Sequence, residues 1–212
     1  MRALFLSALL LPALFACGKP PPPTPTLSAS AFQLTDIGGA DIGKDFRLTD
    51  HTGKPRSLAD FKGKVVAIFF GYTHCPDVCP TTLGDLALAM KKLGKQAERV
   101  QVLFVTVDPQ RDTQALLAQY VPSFHPSFLG LYGDAEATAL TAKTFKIIYQ
   151  KELATPEKGG KTKTPASDAA NYLVDHSAGT YLYDPQGRIR LYAGHGNSAD
   201  VFVHDIRELL KP

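Results

Sequence analysis

The alternation of apolar and polar residues predicts buried strands that are joined by an amphipathic helix. Continuous apolar runs at Val65 to Phe70 and at Val100 to Val107 are typical of strands buried on both faces. Between the two runs, apolar residues recur at intervals of three or four, as on the buried face of a helix. These helix positions are Leu83, Leu86, Met90 and Leu93. The segment therefore predicts a strand, a helix and a second strand in succession.

Further strands and helices continue this pattern on either side. Phe46 to Asp50 alternates as a half-buried strand does, and Phe128 to Tyr132 is a short apolar run. Asp112 or Thr113 can cap one further helix, and Asp134 can cap another, because their side-chain oxygens accept hydrogen bonds from free backbone amides. Strands thus alternate with helices through the first two thirds of the chain.

The last third predicts a hairpin and a final helix. Lys146 to Gln150 has an extended pattern, whereas Lys151 to Ala170 holds almost no large apolar residue and predicts a mobile surface excursion. Thr180 to Tyr183 and Arg188 to Tyr192 flank a turn sequence, and Ser198 can cap an amphipathic helix. This order predicts an α/β fold that is thioredoxin-like, in its peroxiredoxin-like variant. Helices flank a central sheet that has an N-terminal strand extension.

Composition favours one globular domain, which we place at residues 31–212. Apolar residues make up 44% of the 212 residues and the net charge is only +3, which excludes disorder for the bulk of the chain. No apolar run approaches the roughly 20 residues of a spanning helix, so a polytopic membrane protein is excluded. The basic excess is too slight to indicate a nucleic-acid partner.

The first sixteen residues have the pattern of a secretory leader. Arg2 precedes an uncharged, mostly apolar run from Ala3 to Ala16, which is too short to span a membrane as a mature helix. Leu14 and Ala16, placed before Cys17, resemble the bacterial lipobox, in which the cysteine is lipidated and becomes the mature N-terminus. The alternative is an ordinary signal peptide or an uncleaved anchor, with Cys17 incidental.

A proline-rich stretch separates this leader from the domain. Four consecutive prolines within Lys19 to Thr26 favour extended polyproline II, which acts as a semi-rigid spacer. We therefore predict a lipoprotein signal peptide at residues 1–16, followed by a lipid anchor and spacer at residues 17–30. The domain would be held on a bacterial cell membrane and would face the periplasm or another extracytoplasmic space.

Two cysteines remain for chemistry if Cys17 carries lipid. Cys75 and Cys79 follow an apolar strand, at the edge where open α/β sheets bind ligands. On a helical turn this spacing puts both sulfurs on one face, about 6 Å apart along the axis, and a nearby helix start favours thiolate. The pair can be structural, redox-active through a disulfide, or metal-binding. Its loop is too short for a purely structural disulfide to stabilise much, and paired thiolates select Cu(I), Zn or an iron–sulfur centre.

Three short motifs occur in order along the predicted domain. They are Gly71 to Pro80 (GYTHCPDVCP), Val107 to Thr113 (VDPQRDT) and Val174 to Ser177 (VDHS). With them the chain resembles, over residues 30 to 211, the Sco/SenC copper-binding proteins of cytochrome oxidase assembly. The resemblance implies a thioredoxin-like fold and copper, as Cu(I) or Cu(II), held by Cys75, Cys79 and His176.

Two functions compete for the same cysteines. The resemblance implies a metallochaperone that delivers copper to the dinuclear copper centre of cytochrome c oxidase subunit II, after a thiol reductant protein has reduced the Cys75–Cys79 disulfide. The alternative is a thiol–disulfide oxidoreductase or peroxidase, and a redox or copper sensor that signals through a partner is a third interpretation. Redox thioredoxins use Cys-x-x-Cys and a cis-proline before a late strand, whereas here three residues intervene and no proline lies between Pro165 and Pro185. These differences favour metal without excluding a dual role.

The other histidines are weaker candidates for metal ligands than His176, the histidine of the Asp-His-Ser motif. Taken without the resemblance, His176 would be interpreted first as a hydrogen-bonded loop residue at a strand end. His74 adjoins Cys75, but neighbouring residues on a turn point apart. His204 lies in the last predicted helix and is expected at the surface.

Charged residues of the motifs have structural alternatives too. Asp77 can tune the charge of the site or dock a partner, and its alternative is an acid favoured at a helix start. Asp108 ends a strand beside the site, and its alternative is a turn cap. Arg111 is predicted to pair with a nearby acid.

Overall fold

The computed structural model describes residues 31–152 and 172–211, within which ten strands and four α-helices form an α/β domain. The strands are β1 (Thr35–Asp36), β2 (Leu48–Asp50), β3 (Pro55–Arg56), β4 (Val65–Gly71), β5 (Val100–Thr106), β6 (Leu129–Tyr132), β7 (Tyr149–Glu152), β8 (Leu173–His176), β9 (Thr180–Tyr183) and β10 (Ile189–Ala193). The helices are α1 (Val78–Leu93), α2 (Gln114–Tyr120), α3 (Ala135–Thr144) and α4 (Ala199–Leu209). The predicted α/β, thioredoxin-like order of elements is confirmed.

Eight of these strands form one mixed sheet, in the order β1-β10-β9-β4-β5-β6-β2-β3. Strands β4, β5 and β6 are parallel, which requires crossover connections, and α1 and α2 supply them. Every residue of β4 and β5 is buried, which confirms the prediction from their continuous apolar runs. The short strands β1, β2 and β3 precede β4 in the chain and form the N-terminal extension.

The remaining two strands form a separate antiparallel pair. Strand β7 pairs with β8 from Tyr149 opposite His176 to Glu152 opposite Leu173. Of the predicted surface excursion, Lys151 and Glu152 therefore belong to a strand, because they complete this pairing, and residues 153–170 lie outside the described chain. A two-stranded sheet by itself is marginal in water, so contacts with the main body must hold this one in place.

Two predicted helix caps are confirmed, and two are corrected. Thr113 accepts from the Leu116 amide at 3.2 Å and Asp134 from the Ala137 amide at 2.8 Å, so both are true N-caps. Asp112 does not cap α2, because its carboxylate is used elsewhere. Ser198 occupies the N-cap position of α4, but its side chain makes no capping hydrogen bond.

Two strand predictions were too long. The first strand begins at Leu48 rather than Phe46, and only Leu48–Asp50 pairs with its neighbours. Lys146 has a φ of 56°, so the backbone turns there before it becomes extended at Tyr149. A left-handed residue cannot continue a regular strand, which explains the later start of β7.

The N-terminal end of the described chain is tied to the last helix. The Asp205 carboxylate on α4 is fully buried and accepts the backbone amides of Gln33 at 2.9 Å and Leu34 at 2.7 Å. These bonds fix the segment just before β1 against α4. The leader, Cys17 and the proline-rich spacer lie outside the described residues. No helix in the described ranges is both long and apolar enough to cross a membrane.

Candidate metal centre

The loop after β4 carries the cysteine pair to the carboxyl edge of the sheet. Cys79 is the second residue of α1, but Cys75 precedes the helix, which begins only at Val78. Only Cys79 therefore lies on a helical turn, so the condition under which the spacing puts both sulfurs on one helix face is not met. Cys75 stands directly before Pro76, and a residue before proline avoids the α conformation.

Cys79 occupies a closed space that depends on a glycine. Its side chain is fully buried, and a Cβ atom on Gly71 would lie 2.7 Å from its sulfur and 2.9 Å from the Phe104 ring. Real Cβ atoms do not come that close, so only glycine at the end of β4 admits the Cys79 thiol at this depth. Gly71 was part of a recognised motif, but its steric role followed only from the packing.

The two thiols have opposite electrostatic environments. Hydrogen bonds from the Cys79 side chain and from the Asp77 and Cys79 amides lower the pKa of Cys75 to about 5. The Cys79 amide lies 3.4 Å from the Cys75 sulfur. The hydrogen bond to Cys75 and burial raise the pKa of Cys79. Both cysteines are free, so Cys75 is the thiolate of the pair and Cys79 the thiol.

His176 completes the site from the end of β8. Its Nε2 atom lies 3.8 Å from the Cys79 sulfur, and its Nδ1 atom lies 3.1 Å from the Val174 carbonyl oxygen. A carbonyl only accepts, so Nδ1 carries the proton and the neutral ring presents a lone pair at Nε2. The edge of the ring packs on Tyr72, with 5.5 Å between centroids. The imidazole is thereby oriented toward the cysteines.

This donor set suits a soft ion. Ligand bonds of about 2.3 Å to sulfur and 2.0 Å to nitrogen, at a trigonal angle, put the two donors about 3.7 Å apart. The observed separation of 3.8 Å matches that value. Two thiolates and an imidazole favour copper or zinc over hard cations. In residues 31–152 and 172–211, however, no three His, Cys or acidic side chains are already spaced to hold a metal. Binding by all three would need a local rearrangement.

A buried carboxylate fixes the start of the cysteine loop. Asp112 accepts hydrogen bonds from the Thr73 amide at 3.0 Å, the Thr73 hydroxyl at 2.6 Å and the Thr106 hydroxyl at 2.6 Å. Burial raises the pKa of this carboxyl. The interaction joins the loop after β4 to the loop after β5. Sequence reasoning missed it, because a lone Asp next to a cap residue gives no sign of a partner 39 positions away.

A second buried acid fixes the start of β8. The Asp108 carboxylate accepts from the Arg111 Nε and, at 2.6 Å, from the Tyr172 hydroxyl. The prediction that Arg111 pairs with an acid is confirmed. Burial and the bond to Asp108 raise the pKa of Tyr172 to about 12, so its hydroxyl remains a donor. The turn role of Asp108 is also real, because its carbonyl accepts the amides of Arg111 and Asp112.

The side chains of the other candidates are exposed or bond to other residues. His74 is half exposed, and its Nδ1 lies 3.0 Å from the Thr73 hydroxyl. Asp77 is exposed and occupies the N-cap position of α1 without a capping bond from its side chain. His204 is partly exposed on α4 and contacts Asp205 at 2.7 Å. Their structural interpretations therefore fit the observed positions.

Comparison with known proteins identifies the family. The SCO1/SenC family model matches residues 35–211, which include both cysteines and the histidine. The chain belongs to the SCO1/SenC family. This family membership agrees with the resemblance of its three motifs and with the thioredoxin-like fold.

Relatives and solved structures extend over most of the described domain. The chain is 40% identical over 171 residues to the mitochondrial SCO2 homolog of Mus musculus, a match that covers 79% of this chain and 62% of the mouse protein. It therefore spans less than two thirds of that relative. ScoI of Bradyrhizobium japonicum, solved with copper bound, superposes with a TM-score of 0.67 at 36% identity and covers 81% of this chain and 100% of that one. Apo Sco1 of Thermus thermophilus gives 0.67 at 40% identity, with 84% and 99% covered.

The asymmetry of the thiols predicts a pH profile for alkylation. Iodoacetamide should modify Cys75 in preference to Cys79, with a rate that stays high at neutral pH and falls as the pH drops through about 5. The hydrogen bond from the Cys79 side chain is the largest cause of the lowered pKa of Cys75. Its loss in Cys79→Ala should move the midpoint upward, toward the ordinary value of about 8.5. Site-resolved mass spectrometry of partly alkylated protein measures both profiles. A wild-type midpoint between 8 and 9 would show that the Cys75 thiolate is not stabilised.

Proposed function

We propose that this protein is a copper metallochaperone that binds copper through Cys75, Cys79 and His176. The observation that carries the proposal is the approach of His176 Nε2 to within 3.8 Å of the Cys79 sulfur. The Nδ1 bond to the Val174 carbonyl keeps the lone pair of Nε2 on the side of the cysteines. Cys75 supplies a thiolate beside them. A soft, three-coordinate ion is the ligand that such a set favours.

Copper is the member of the soft-metal group that the relatives support. The Bradyrhizobium japonicum and Arabidopsis thaliana ScoI proteins were both solved with copper bound. Membership of the same family makes copper the cargo that we assign to this chain, as Cu(I) or as Cu(II) with a further weak ligand. The low pKa of Cys75, about 5, means that no proton need be displaced from that sulfur at neutral pH.

The acceptor we propose is the dinuclear copper centre of cytochrome c oxidase subunit II. The family resemblance supports this partner, as does the position of the site at an edge of the sheet with Cys75 partly exposed. Transfer would proceed by exchange of thiolate ligands between donor and acceptor. A thiol reductant protein is the second partner, because a Cys75–Cys79 disulfide must be reduced before both sulfurs can bind copper.

Thiol–disulfide oxidoreductase activity is the second candidate, and the acidity of Cys75 favours it. Its thiolate would attack a substrate disulfide and form a mixed disulfide, releasing one substrate thiolate. Cys79, once deprotonated, would then displace the second substrate thiolate and close the Cys75–Cys79 disulfide. The protein loses two electrons and the substrate gains them as two thiols. Burial and the raised pKa of Cys79 oppose the second step.

Substitution of single ligands tests the copper site. Cys75→Ser, Cys79→Ser and His176→Ala should each lower copper affinity at least tenfold, and the cysteine variants should abolish any thiolate-to-Cu(II) charge-transfer band. His74→Ala is the matched control, since this exposed neighbour of Cys75 should leave affinity unchanged. Competition with a chelator under anaerobic conditions measures the affinities. Stoichiometric binding by the double cysteine variant would contradict the ligand assignment.

Copper and the disulfide should exclude each other. A disulfide offers no thiolate, so the oxidised protein should take up Cu(I) only after a reductant is added, and bound Cu(I) should protect both thiols from alkylation. The fold should survive either state because the backbone pairing of β4 with β5 involves neither thiol, and a copper-induced rise in Tm should vanish on oxidation. Rapid turnover of a disulfide substrate that copper does not inhibit would favour the oxidoreductase instead.

Membrane attachment is the remaining part of the proposal. We propose that residues 1–16 are removed as a lipoprotein signal peptide and that Cys17 is lipidated. Residues 17–30 would then serve as anchor and spacer, on the extracytoplasmic side of a bacterial cell membrane. The short apolar run and the proline-rich stretch in the sequence support this arrangement.

Expression of the full chain in a bacterium tests the anchor. Mass spectrometry should find a diacylglyceryl modification on an N-terminal Cys17, and the protein should sediment with membranes. Cys17→Ser should leave the sedimenting fraction, or retain an uncleaved leader, while its domain still binds copper. An unmodified N-terminus further along the chain, in a protein free of membranes, would contradict the proposal.

A further inference from the structure

The three candidate ligands stand on two separate parts of the fold. Cys75 and Cys79 belong to the loop and helix that follow β4, a central strand of the large sheet. His176 ends β8, whose ladder partner within the described chain is β7 alone. A pair of short strands has little stability of its own. The position of His176 therefore depends on contacts between this β7–β8 pair and the body of the domain.

A closed cluster of three side chains supplies such a contact. Arg111 donates from Nη1 to the Tyr172 carbonyl at 2.9 Å, and its guanidinium lies 3.6 Å from the centre of the Tyr172 ring. The Tyr172 hydroxyl donates to Asp108 at 2.6 Å, and Arg111 Nε donates to the second oxygen of the same carboxylate. Each member thus contacts both of the others. Asp108 and Arg111 come from the loop after β5, whereas Tyr172 directly precedes β8.

The cluster is shielded from water and lies close to His176. The Asp108 side chain is fully buried and the Arg111 side chain is 11% exposed, so solvent screens their attraction little. Tyr172 lies four residues before His176 and directly precedes the strand that His176 ends. Arg111 also lies 5.6 Å from the centre of the Tyr72 ring, which packs against His176. The guanidinium therefore contacts Tyr172, at the start of the β7–β8 pair, and also contacts Tyr72, which packs on His176.

We propose that Asp108, Arg111 and Tyr172 are positioning residues that hold His176 within ligand distance of the cysteine pair. The inference rests on the proposed copper function, because it takes His176 as a ligand. The guanidinium is essential to it, since one planar group both stacks on Tyr172 and donates in two directions. A lysine keeps the charge but cannot do both.

The test compares two arginines in similar surroundings. Arg56 also donates from Nε to a buried carboxylate, Asp50 at 2.7 Å, and lies over a ring, Phe61 at 5.7 Å, but it belongs to β3 at the far end of the sheet. Arg111→Gln and Arg111→Lys should each lower copper affinity about 10- to 100-fold, as losses of groups that orient metal ligands do. Arg56→Gln should leave copper affinity unchanged. Tyr172→Phe, which keeps the ring, should give a smaller loss.

A double-mutant cycle separates positioning from general damage. In a His176→Ala background, Arg111→Gln should cause no further loss of copper affinity, because the ligand that it positions is gone. With His176 present, Arg111→Gln should weaken the nitrogen hyperfine coupling in the Cu(II) electron paramagnetic resonance spectrum. Equal losses from Arg111→Gln in both backgrounds would overturn the proposal.

A copper-free measurement keeps this inference distinct from the proposed function. In the apo-protein, Arg111→Gln and Tyr172→Phe should speed hydrogen exchange of the amides in β7 and β8 and leave those of β4 and β5 protected. Unchanged hydrogen exchange in β7 and β8 would overturn the positioning role even if copper binds at the site. Conversely, faster exchange of β7 and β8 in the Arg111→Gln variant, together with a wild-type chain that binds no copper, would support the role of the cluster in holding these strands and refute the copper function.

Discussion

The parallel pairing of β4 with β5 is the constraint on which the site depends. The two strands match residue for residue from Val65 opposite Val100 to Gly71 opposite Thr106, and all their side chains are buried. Because the strands run in the same direction, both loops that leave them emerge at one edge. The backbone bond from the Val107 amide to the Gly71 carbonyl, at 2.9 Å, extends the pairing to the start of those loops. The cysteine loop and the loop with the buried acids are neighbours for this reason.

Buried carboxylates convert that proximity into a defined geometry. Asp112 accepts a hydrogen bond from Thr73, two residues before Cys75. Asp108 accepts from Arg111 and from Tyr172, and Tyr172 directly precedes the strand that ends at His176. Each carboxylate has several donors, which offsets the cost of removing it from water. The two acids lie in one short loop, so a single segment fixes both halves of the candidate site. The Cys79 sulfur lies in a space that Gly71 leaves open.

Local patterns in the sequence carried much of the fold. The long apolar runs and the helical spacing after them predicted β4, α1 and β5, because burial on one or both faces dictates which positions must be apolar. Thr113 and Asp134 were recognisable as helix caps for a similarly local reason, since a cap bonds an amide two or three residues away. The spacing of Cys75 from Cys79 left its position relative to the helix open, whereas the proline after it indicates a residue outside the helix. The distinction between Asp112 and Thr113 depended on distant partners, and no local rule resolves it.

The sequence by itself determined the order of the elements, the family and the candidate ligands. Each of these follows from spacing along the chain: apolar periodicity for the elements, and three ordered motifs for the family and its cysteine and histidine residues. Only the tertiary structure decided that Cys75 carries the lowered pKa and that His176 turns Nε2 toward Cys79. It also decided that Arg111 joins the β7–β8 pair to the body of the domain. These properties arise from contacts between residues as far as 97 positions apart in the chain. Such contacts exist only once the strands have paired and the helices have packed.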